Sequence, residues 1–265
     1  MAYQARLATW LTNHRKSFEL RIREFEWPSV IAARNTDFEV AMLYNGETVV
    51  GRGTDTDPNL ALEKACAEAI ERLVCVKHGV SSMGVALHTE KLLAKQNARS
   101  EFIERRVLAH HINLIAPIEL SSRSLLPGPD GDDQIESCIY KLSKCGVFET
   151  SLSVISYRDI RLIGAASDFS FATASARADL EAIRNLAACI SDAERFHQAV
   201  ASNSNLKWSD SRFFHQKIAP FLLVTGPAEH LIAPTIVYRQ LTLPTDSIFA
   251  DCPAVVIQAF EKSAI

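Results

Sequence analysis

Hydrophobic residues recur every three to four positions in several stretches of the chain, the spacing of an amphipathic helix. Asp57 and Pro58 precede the longest stretch, and an N-cap side chain followed by proline in the first turn is typical of a helix start. Leu7, Trp10 and Leu11 give a shorter stretch the same spacing. The pattern predicts helices over residues 4–16, 57–78, 89–111, 132–144 and 174–191.

Alternation of apolar and polar residues at every second position predicts strands between these helices. The clearest case is FEVAMLYNGETVVGRG, two β-rich runs joined by Asn45 and Gly46, a pair that suits the positive φ angles of a hairpin turn. We expect one α/β domain over residues 1–265, with mixed sheets and a strand-rich part over 218–265. Further strands are predicted over 17–26, 30–34, 81–88, 148–157, 161–169, 220–226, 235–243 and 253–260, and loops over 125–133 and 203–217.

Composition narrows the class of protein. The chain of 265 residues is 48% hydrophobic, which allows a sizeable core, and its net charge of −3 gives no basic field for nucleic acid or anionic lipid. We therefore expect neither nucleic acid nor a membrane as a partner. Six cysteines are scattered without a C-x-x-C pair, which is typical of free thiols in a reducing compartment. The expected location is the cytoplasm.

Two of the predicted helices carry the same acidic motif. Residues 68–72 have the sequence EAIER, and residues 101–105, 33 positions later, have the sequence EFIER. A third predicted helix adds Glu181. Carboxylates brought together by three helices repel one another unless a cation lies among them, and magnesium prefers such oxygen ligands. A magnesium site in turn suggests a nucleoside triphosphate, with basic residues of the same helices near its phosphates.

Two other interpretations of the acidic motif stay open. A glutamate and an arginine four residues apart often form a solvent-exposed pair on a helix surface. An offset of 33 residues also suits a helical solenoid, although the strands between the helices favour an α/β arrangement. The motif therefore indicates either a binding site or a charged surface.

Three segments together resemble the YcaO family. GRGTDTDPNLALEKACAEAIER follows the hairpin and resembles the first signature of that family, a Gly-x-Gly strand end and then a helix with S-x-x-x-E-x-x-E-R. SSMGVALHTEKLLAKQNARSEFIERRVLAHH resembles the second block, and GAASDFSFATASARADLEAIRN is similar to the third, which contains R-A-x-x-E-x-x-x-Q. Order and spacing agree over about residues 28–190, so the resemblance rests on all three blocks together.

The resemblance implies a YcaO-like α/β fold in an enzyme that binds ATP and Mg²⁺ and phosphorylates a backbone amide oxygen of a ribosomally made precursor peptide. The modified amide would become an azoline, an amidine or a thioamide. As partners it implies the precursor peptide, a leader-binding or other maturation protein, and a homodimer or hetero-complex. The residues that it places at magnesium are Glu68, Glu71, Glu101 and Glu181, and those at the nucleotide are Lys64, Glu68, Glu71, Arg72, Asn97, Glu101, Glu104, Arg177, Glu181 and Asn185.

Three positions depart from the family pattern. Lys64 stands where the family has serine, Asn97 where it has a small polar residue, and Asn185 where it has glutamine. Lys64 could pair with Glu68 and fill the place of a metal or phosphate, or it could bind a phosphate itself. Two functions are therefore open: a cyclodehydratase-like enzyme of peptide natural-product synthesis, and a degenerate subunit without ATP turnover that binds or scaffolds a peptide.

Overall fold

The computed structural model describes residues 6–25, 35–128, 133–191 and 214–262, which fall into two compact units. Described residues 6–25, 35–102 and 234–262 form the first unit, and 103–128, 133–191 and 214–233 form the second. The helices are α1 (Arg6–Asn13), α2 (Pro58–His78), α3 (Lys91–Leu114), α4 (Phe171–Ser191) and α5 (Ala219–Leu222). The strands are β1 (Arg21–Phe25), β2 (Thr36–Tyr44), β3 (Glu47–Asp55), β4 (Val85–His88), β5 (Glu119–Pro127), β6 (Gln134–Lys141), β7 (Lys144–Cys145), β8 (Glu149–Tyr157), β9 (Ile160–Asp168), β10 (His230–Leu231), β11 (Ile236–Leu241) and β12 (Val255–Glu261).

An antiparallel sheet in the order β1-β2-β3 carries helix α2 in the first unit. The predicted hairpin between β2 and β3 is confirmed, with φ of 50° at Asn45 and 81° at Gly46. Helix α2 begins where Asp57 accepts a hydrogen bond from the backbone of Asn59, and it ends at Gly79 in a left-handed conformation. The predicted boundaries of this strand–turn–helix segment are therefore confirmed.

Helix α1 is attached to the first unit by a carboxylate of α2. Glu63 is buried, and its two oxygens accept hydrogen bonds from the backbone N–H groups of Leu7 and Ala8 at 2.9 and 2.8 Å. These N–H groups lie in the first turn of α1 and have no partner within the helix. Trp10 adds an aromatic contact to Phe249, with ring centroids 5.5 Å apart. Glu63 thus caps a helix that is distant in the sequence.

A four-stranded antiparallel sheet in the order β5-β6-β8-β9 forms the centre of the second unit, and α4 covers one of its faces. Ile135, Ile155 and Leu186 are fully buried between the sheet and α4, with 1% exposure or less. Asp179 of α4 accepts hydrogen bonds from the hydroxyls of Ser137 and Ser153 at 2.7 and 2.9 Å. The helix is therefore fixed to the sheet by both apolar and polar contacts.

The predicted helix over residues 132–144 is wrong, because its described part contains strand β6. Ile135 and Ser137 are buried towards α4, while Glu136 and Cys138 alternate onto the other face. β-branched and aromatic side chains favour this pleated arrangement, and β6 pairs with β5 on one side and β8 on the other. The helix prediction used the Gly146 stop, but Gly146 lies in a turn with φ of 60°.

Two predictions near the C-terminal part also differ from the structure. The run over 220–226 was predicted as a strand, but Pro220 and the fully buried Phe221 lie in α5. Short apolar runs of this kind do not distinguish a buried strand from a buried helical turn. Of the predicted loop 203–217, the described residues 214–217 belong to a π-helical turn, Phe214–Ile218. The predicted strand 30–34 lies outside the described residues.

The remaining strands were predicted with small shifts at their ends. Strands β8, β9, β11 and β12 occupy the predicted segments, whereas the predicted strand 17–26 is shortened to β1. Strand β5 was not predicted. Of the helices in the described part of the chain, none is long and apolar enough to cross a membrane.

Candidate functional site

Glu68 joins helix α2 to strand β3 in the first unit. Its carboxylate accepts a hydrogen bond from the backbone N–H of Arg52 at 2.6 Å and from Nη2 of Arg72 at 2.5 Å. Nη1 of Arg72 in turn donates to the carbonyl oxygen of Val50. Both oxygens of Glu68 are thus engaged by groups of the protein.

Glu71 lies on the next turn of α2 among other carboxylates. Burial raises the pKa of Glu71 well above its ordinary value, and the negative charges of Glu101 and Glu68 raise it further. Arg72 and a hydrogen bond from the backbone N–H of Leu87 oppose this rise but do not cancel it. The free energy of ionising Glu71 is therefore unfavourable unless a cation comes near, as expected of a site that receives one.

Lys64 does not contact Glu68, so it does not fill the place expected for a metal or phosphate beside that carboxylate. Its Nζ pairs with Asp55 at 2.6 Å and donates to the carbonyl oxygen of Thr54 at 3.3 Å. The side chain is 53% exposed. The partner of Glu68 is Arg72 instead, and the lysine is held at the surface by an aspartate at the end of β3.

Glu181 takes the part of Glu68 in the second unit. Its carboxylate accepts a hydrogen bond from the backbone N–H of Ala165 at 3.0 Å, which joins α4 to β9. Asn185, one turn later, donates from Nδ2 to the carbonyl oxygen of Ile163 at 3.2 Å. Asn185 therefore has a structural partner on the neighbouring strand.

Glu104 is the buried acid of the second unit, with 7% of its surface exposed. Burial raises the pKa of Glu104 to about 7; the charge of Glu181 acts in the same direction, and Arg105 and Arg177 act against it. Arg105 lies 3.4 Å from the carboxylate. Arg177 pairs with Asp168 at 3.2 Å and is half-exposed. At neutral pH Glu104 is divided between its protonated and ionised forms.

The predicted ligands are thus distributed over two units, and the metal assignment stays a prediction. The boundary between the units falls within α3 after Phe102, so Glu101 belongs to the first unit and Glu104 to the second. Asn97 is exposed on the same helix. Among the described residues, no three His, Cys, Asp or Glu side chains are arranged to hold a metal ion by themselves.

The sequence analysis missed residues that a longer repeat would have revealed. Each contact of the β3–α2 pair described above has a counterpart 113 residues later in the β9–α4 pair. Asp55 with Lys64 corresponds to Asp168 with Arg177. Asp37, which is fully buried and pairs with Arg52, was also missed. The detectable pattern was the equal spacing of glycine and glutamate in the two strand–helix pairs.

Arg184 of α4 is a further residue that the sequence analysis did not assign to the site. It occupies the position that corresponds to Glu71 in the repeat. Its Nε atom is buried and has no hydrogen-bond partner among the described residues. A buried donor without a partner costs free energy, so an acceptor at this place would stabilise the protein.

Comparison with known proteins gives a match in structure but not in sequence. No protein-family model and no curated protein matches the sequence. The structure of YcaO from Methanopyrus kandleri, solved with AMPPCP and Mg²⁺, matches with a TM-score of 0.60 at 10% identity, over 98% of this chain and 90% of that one. A heterocyclase solved in complex with substrate and cofactor matches with a TM-score of 0.65 at 8% identity, over 96% of this chain. The chain spans about half of the heterocyclase, 51% of its length. The predicted resemblance is thus confirmed in structure: this chain has the YcaO fold.

Proposed function

We propose that the protein binds ATP with magnesium and activates a backbone amide of a ribosomally made peptide, as YcaO-type enzymes do. The observation that carries the proposal is the crowding of Glu71 by Glu68 and Glu101, which raises the pKa of the Glu71 carboxyl. A bound cation removes this repulsion, and magnesium is the common cation with oxygen ligands that accompanies nucleotides. The solved M. kandleri YcaO, which has the same fold, holds AMPPCP and Mg²⁺.

The carboxylates of the chain differ in how free they are to receive a cation. The oxygens of Glu68 already bind Arg52 and Arg72. Glu71 and Glu101 in the first unit, and Glu104 in the second, are therefore the better candidates for magnesium ligands. Bound magnesium would neutralise phosphate charge and favour phosphoryl transfer.

Basic residues are available for the phosphate groups of the nucleotide. Arg184 has a buried Nε atom whose hydrogen-bonding capacity no described residue uses. Arg177 and Lys64 are half-exposed and are held only by surface aspartates. Exposed ion pairs of this type are weak, so a phosphate could replace the aspartate at small cost. These three cations are the proposed phosphate-binding side chains.

The proposed reaction transfers the γ-phosphoryl group of ATP to the amide oxygen, with release of ADP. A side chain of the peptide or an external nucleophile then attacks the amide carbon, and phosphate leaves with the former amide oxygen. The partners we propose are the precursor peptide, a leader-binding protein and a second copy of the chain. The proposed location is the cytoplasm.

The test is the affinity for ATP with and without magnesium, measured by isothermal titration calorimetry. We expect magnesium-dependent binding by the wild type, weakened about tenfold or more in Glu71→Gln and Glu101→Gln, because a cation ligand is lost. Glu47→Gln changes an exposed glutamate of the β2–β3 hairpin and is the matched control. Tight binding that Glu71→Gln and Glu101→Gln leave unchanged would remove these carboxylates from the site.

A second candidate function is a YcaO-like subunit that binds or scaffolds a peptide without ATP turnover. The engagement of both Glu68 oxygens by the protein favours it, as does the absence of a preformed three-residue metal group among the described residues. This candidate predicts a folded wild type without magnesium-dependent ATP binding. ATP-dependent modification of a precursor peptide by the purified complex, lost in Glu101→Gln, would exclude it.

A further inference from the structure

A cavity of about 350 Å³ lies on the face of the second unit's sheet that α4 does not cover. Its floor is formed by β5, β6, β8 and β9, and the segment 214–222 supplies Phe214 and Leu222 to its wall. Leu120 of β5 adds a third apolar side chain. Sites for small molecules begin at about this volume, so the cavity is large enough for one ring or one branched side chain with a polar group.

The strand register explains why polar groups meet in this cavity. Residues directly opposite each other in an antiparallel sheet point to the same face. Arg123 is opposite Cys138, and Cys138 is opposite Val154. Glu136 is opposite Ser156, which is opposite Arg161. Side chains from four strands therefore converge on one side of the sheet.

Arg161 is the cation of this cavity that has no carboxylate partner among the described residues. Its Nη1 donates to the carbonyl oxygens of Arg158 and Ile160 at 2.7 and 2.9 Å, which fixes the guanidinium group. Arg123, the other cation in the lining, forms an ion pair with Glu136. The lining therefore has a net positive charge, positioned on a side chain that is already oriented.

The thiol and the phenol of the cavity are neutral donors at physiological pH. Burial raises the pKa of Cys138 above its ordinary value, and the charge of Glu136 raises it further. Burial also raises the pKa of Tyr140 to about 12. Because the thiolate is the reactive form of cysteine, these shifts favour binding over nucleophilic chemistry at this place.

We propose that this cavity is a second ligand site, which binds an apolar or aromatic group carrying a carboxylate, with Arg161 as the residue that recognises the carboxylate. The apolar group would contact Leu120, Phe214 and Leu222. The ligand is either a small organic acid or the C-terminal residue of a peptide, since both present the same chemistry. The site lies wholly within the second unit and does not depend on the proposed nucleotide function.

The experiment compares acids with their neutral amides on the full chain without nucleotide. The small probes are 3-phenylpropionate and 3-phenylpropionamide, and the chain-end probes are acetyl-Gly-Ser-Gly-Phe with a free carboxylate and with a C-terminal amide. Binding is measured by calorimetry, and its place by protection of Cys138 from N-ethylmaleimide, read by mass spectrometry. Cys252, also half-buried, is the internal control for reagent activity.

We expect at least one acid to bind about tenfold or more tightly than its amide, because a charge-assisted hydrogen bond is lost in the amide. The same acid should slow modification of Cys138 and leave Cys252 unchanged. Arg161→Gln should remove the preference for the acid, whereas Arg158→Gln, on the neighbouring turn, should retain it. Tighter binding of the peptide acid identifies a chain end as the ligand, and tighter binding of 3-phenylpropionate identifies a small acid.

A cavity-filling variant keeps the proposal testable if Arg161→Gln unfolds the turn. Ser156→Phe places a ring opposite Arg161 on the floor of the cavity and should abolish binding of the acid. The proposal is overturned if neither acid binds below about 10 mM or if acid and amide bind equally. Binding that Ser156→Phe leaves intact, or that does not protect Cys138, also overturns it.

Discussion

The strand–helix pair β3–α2 of the first unit and the pair β9–α4 of the second are built on the same contacts, 113 residues apart in the chain. In both pairs a glutamate of the helix accepts a hydrogen bond from a strand N–H, and an aspartate at the strand end holds a basic residue of the helix. What the pairs share is therefore what the packing of a helix on a strand requires.

The pairs differ in charge. Arg72 reaches the strand carbonyl in the first unit, and the neutral Asn185 does so in the second. Asp37 pairs with Arg52 in the first unit, where the second has a hydrogen bond between Thr150 and Ser167. The neutral version shows that these charges are not needed for the packing. Positions at which the pairs differ, above all Glu71 and its counterpart Arg184, are thus better candidates for function than positions that they share.

The largest effect is expected from a methyl group between strand and helix. In Gly51→Ala the new Cβ would overlap backbone atoms of Ala65 and Ala69, and Gly164→Ala would meet the corresponding atoms of Ala178 and Ala182. We expect each variant to lose about 3 kcal/mol of the free energy of unfolding, because the helix must shift. Urea unfolding followed by circular dichroism measures the loss.

The control for the glycine variants is the opposite change at a shared strand position. Ala166→Gly, in the interior of β9, should cost only about 1 kcal/mol through backbone entropy. A Gly51→Ala variant that loses no more stability than Ala166→Gly would show that α2 and β3 are not in close contact.

The next largest effect separates the charged pair from the neutral one. Glu68→Ala should cost roughly 2.5 kcal/mol, because it removes a charge-assisted hydrogen bond and leaves Arg72 without its carboxylate. Glu181→Ala should cost roughly 1.5 kcal/mol, since it removes the bond to Ala165 alone. Urea unfolding measures both. In an Arg72→Ala background the two costs should become similar, and unequal costs there would contradict the comparison.

The pH dependence of stability tests the buried acid of the second unit. The pKa of Glu104 is raised from 4.5 to about 7 in the folded protein, so the protonated form is favoured by folding. Its contribution is fully present below about pH 4.5 and is lost as the pH rises through about 7. Relative to wild type, Glu104→Gln should be more stable at pH 8 by on the order of 2 kcal/mol. Thermal unfolding from pH 4 to pH 8 measures the difference, which should vanish at the acidic end.

The smallest effect is expected from the exposed pairs. The side chains of Lys64 and Arg177 are 53% and 50% exposed in their pairs with Asp55 and Asp168. Lys64→Ala and Arg177→Ala should each change stability by less than about 0.5 kcal/mol, because solvent screens such pairs. A loss above about 1 kcal/mol in either variant, measured by urea unfolding, would show that the pair supports the packing.

Local patterns predicted those elements that local interactions determine. The Asn45-Gly46 turn, the Asp57 cap and the Gly79 end of α2 were all predicted correctly, since each depends on one or two residues. Strand β6 was not, because its pairing with β5 and β8 is a contact between distant segments. Strand β5 is exposed along its whole length and therefore lacks the alternation that identifies a strand.

The sequence indicated the acidic cluster of the first unit but not how each acid is used. The pattern E-x-x-E-R does not show that Glu68 binds a strand N–H while Glu71 approaches Glu101. Neither does it show that Lys64 binds Asp55, because the aspartate precedes the helix and the pairing depends on how β3 meets α2. These assignments depend on the relative positions of two packed elements, which residue spacing along one helix does not fix.

The carboxylate of Glu63 has a consequence for the order in which the chain acquires its structure during synthesis. Leu7 lies 56 residues before the group that caps it, so α1 leaves the ribosome well before its partner exists. A helix of eight residues is marginal in isolation. The first helix to be made is therefore among the last to be fixed, and Trp10 and Leu11 stay accessible to chaperones until α2 has formed.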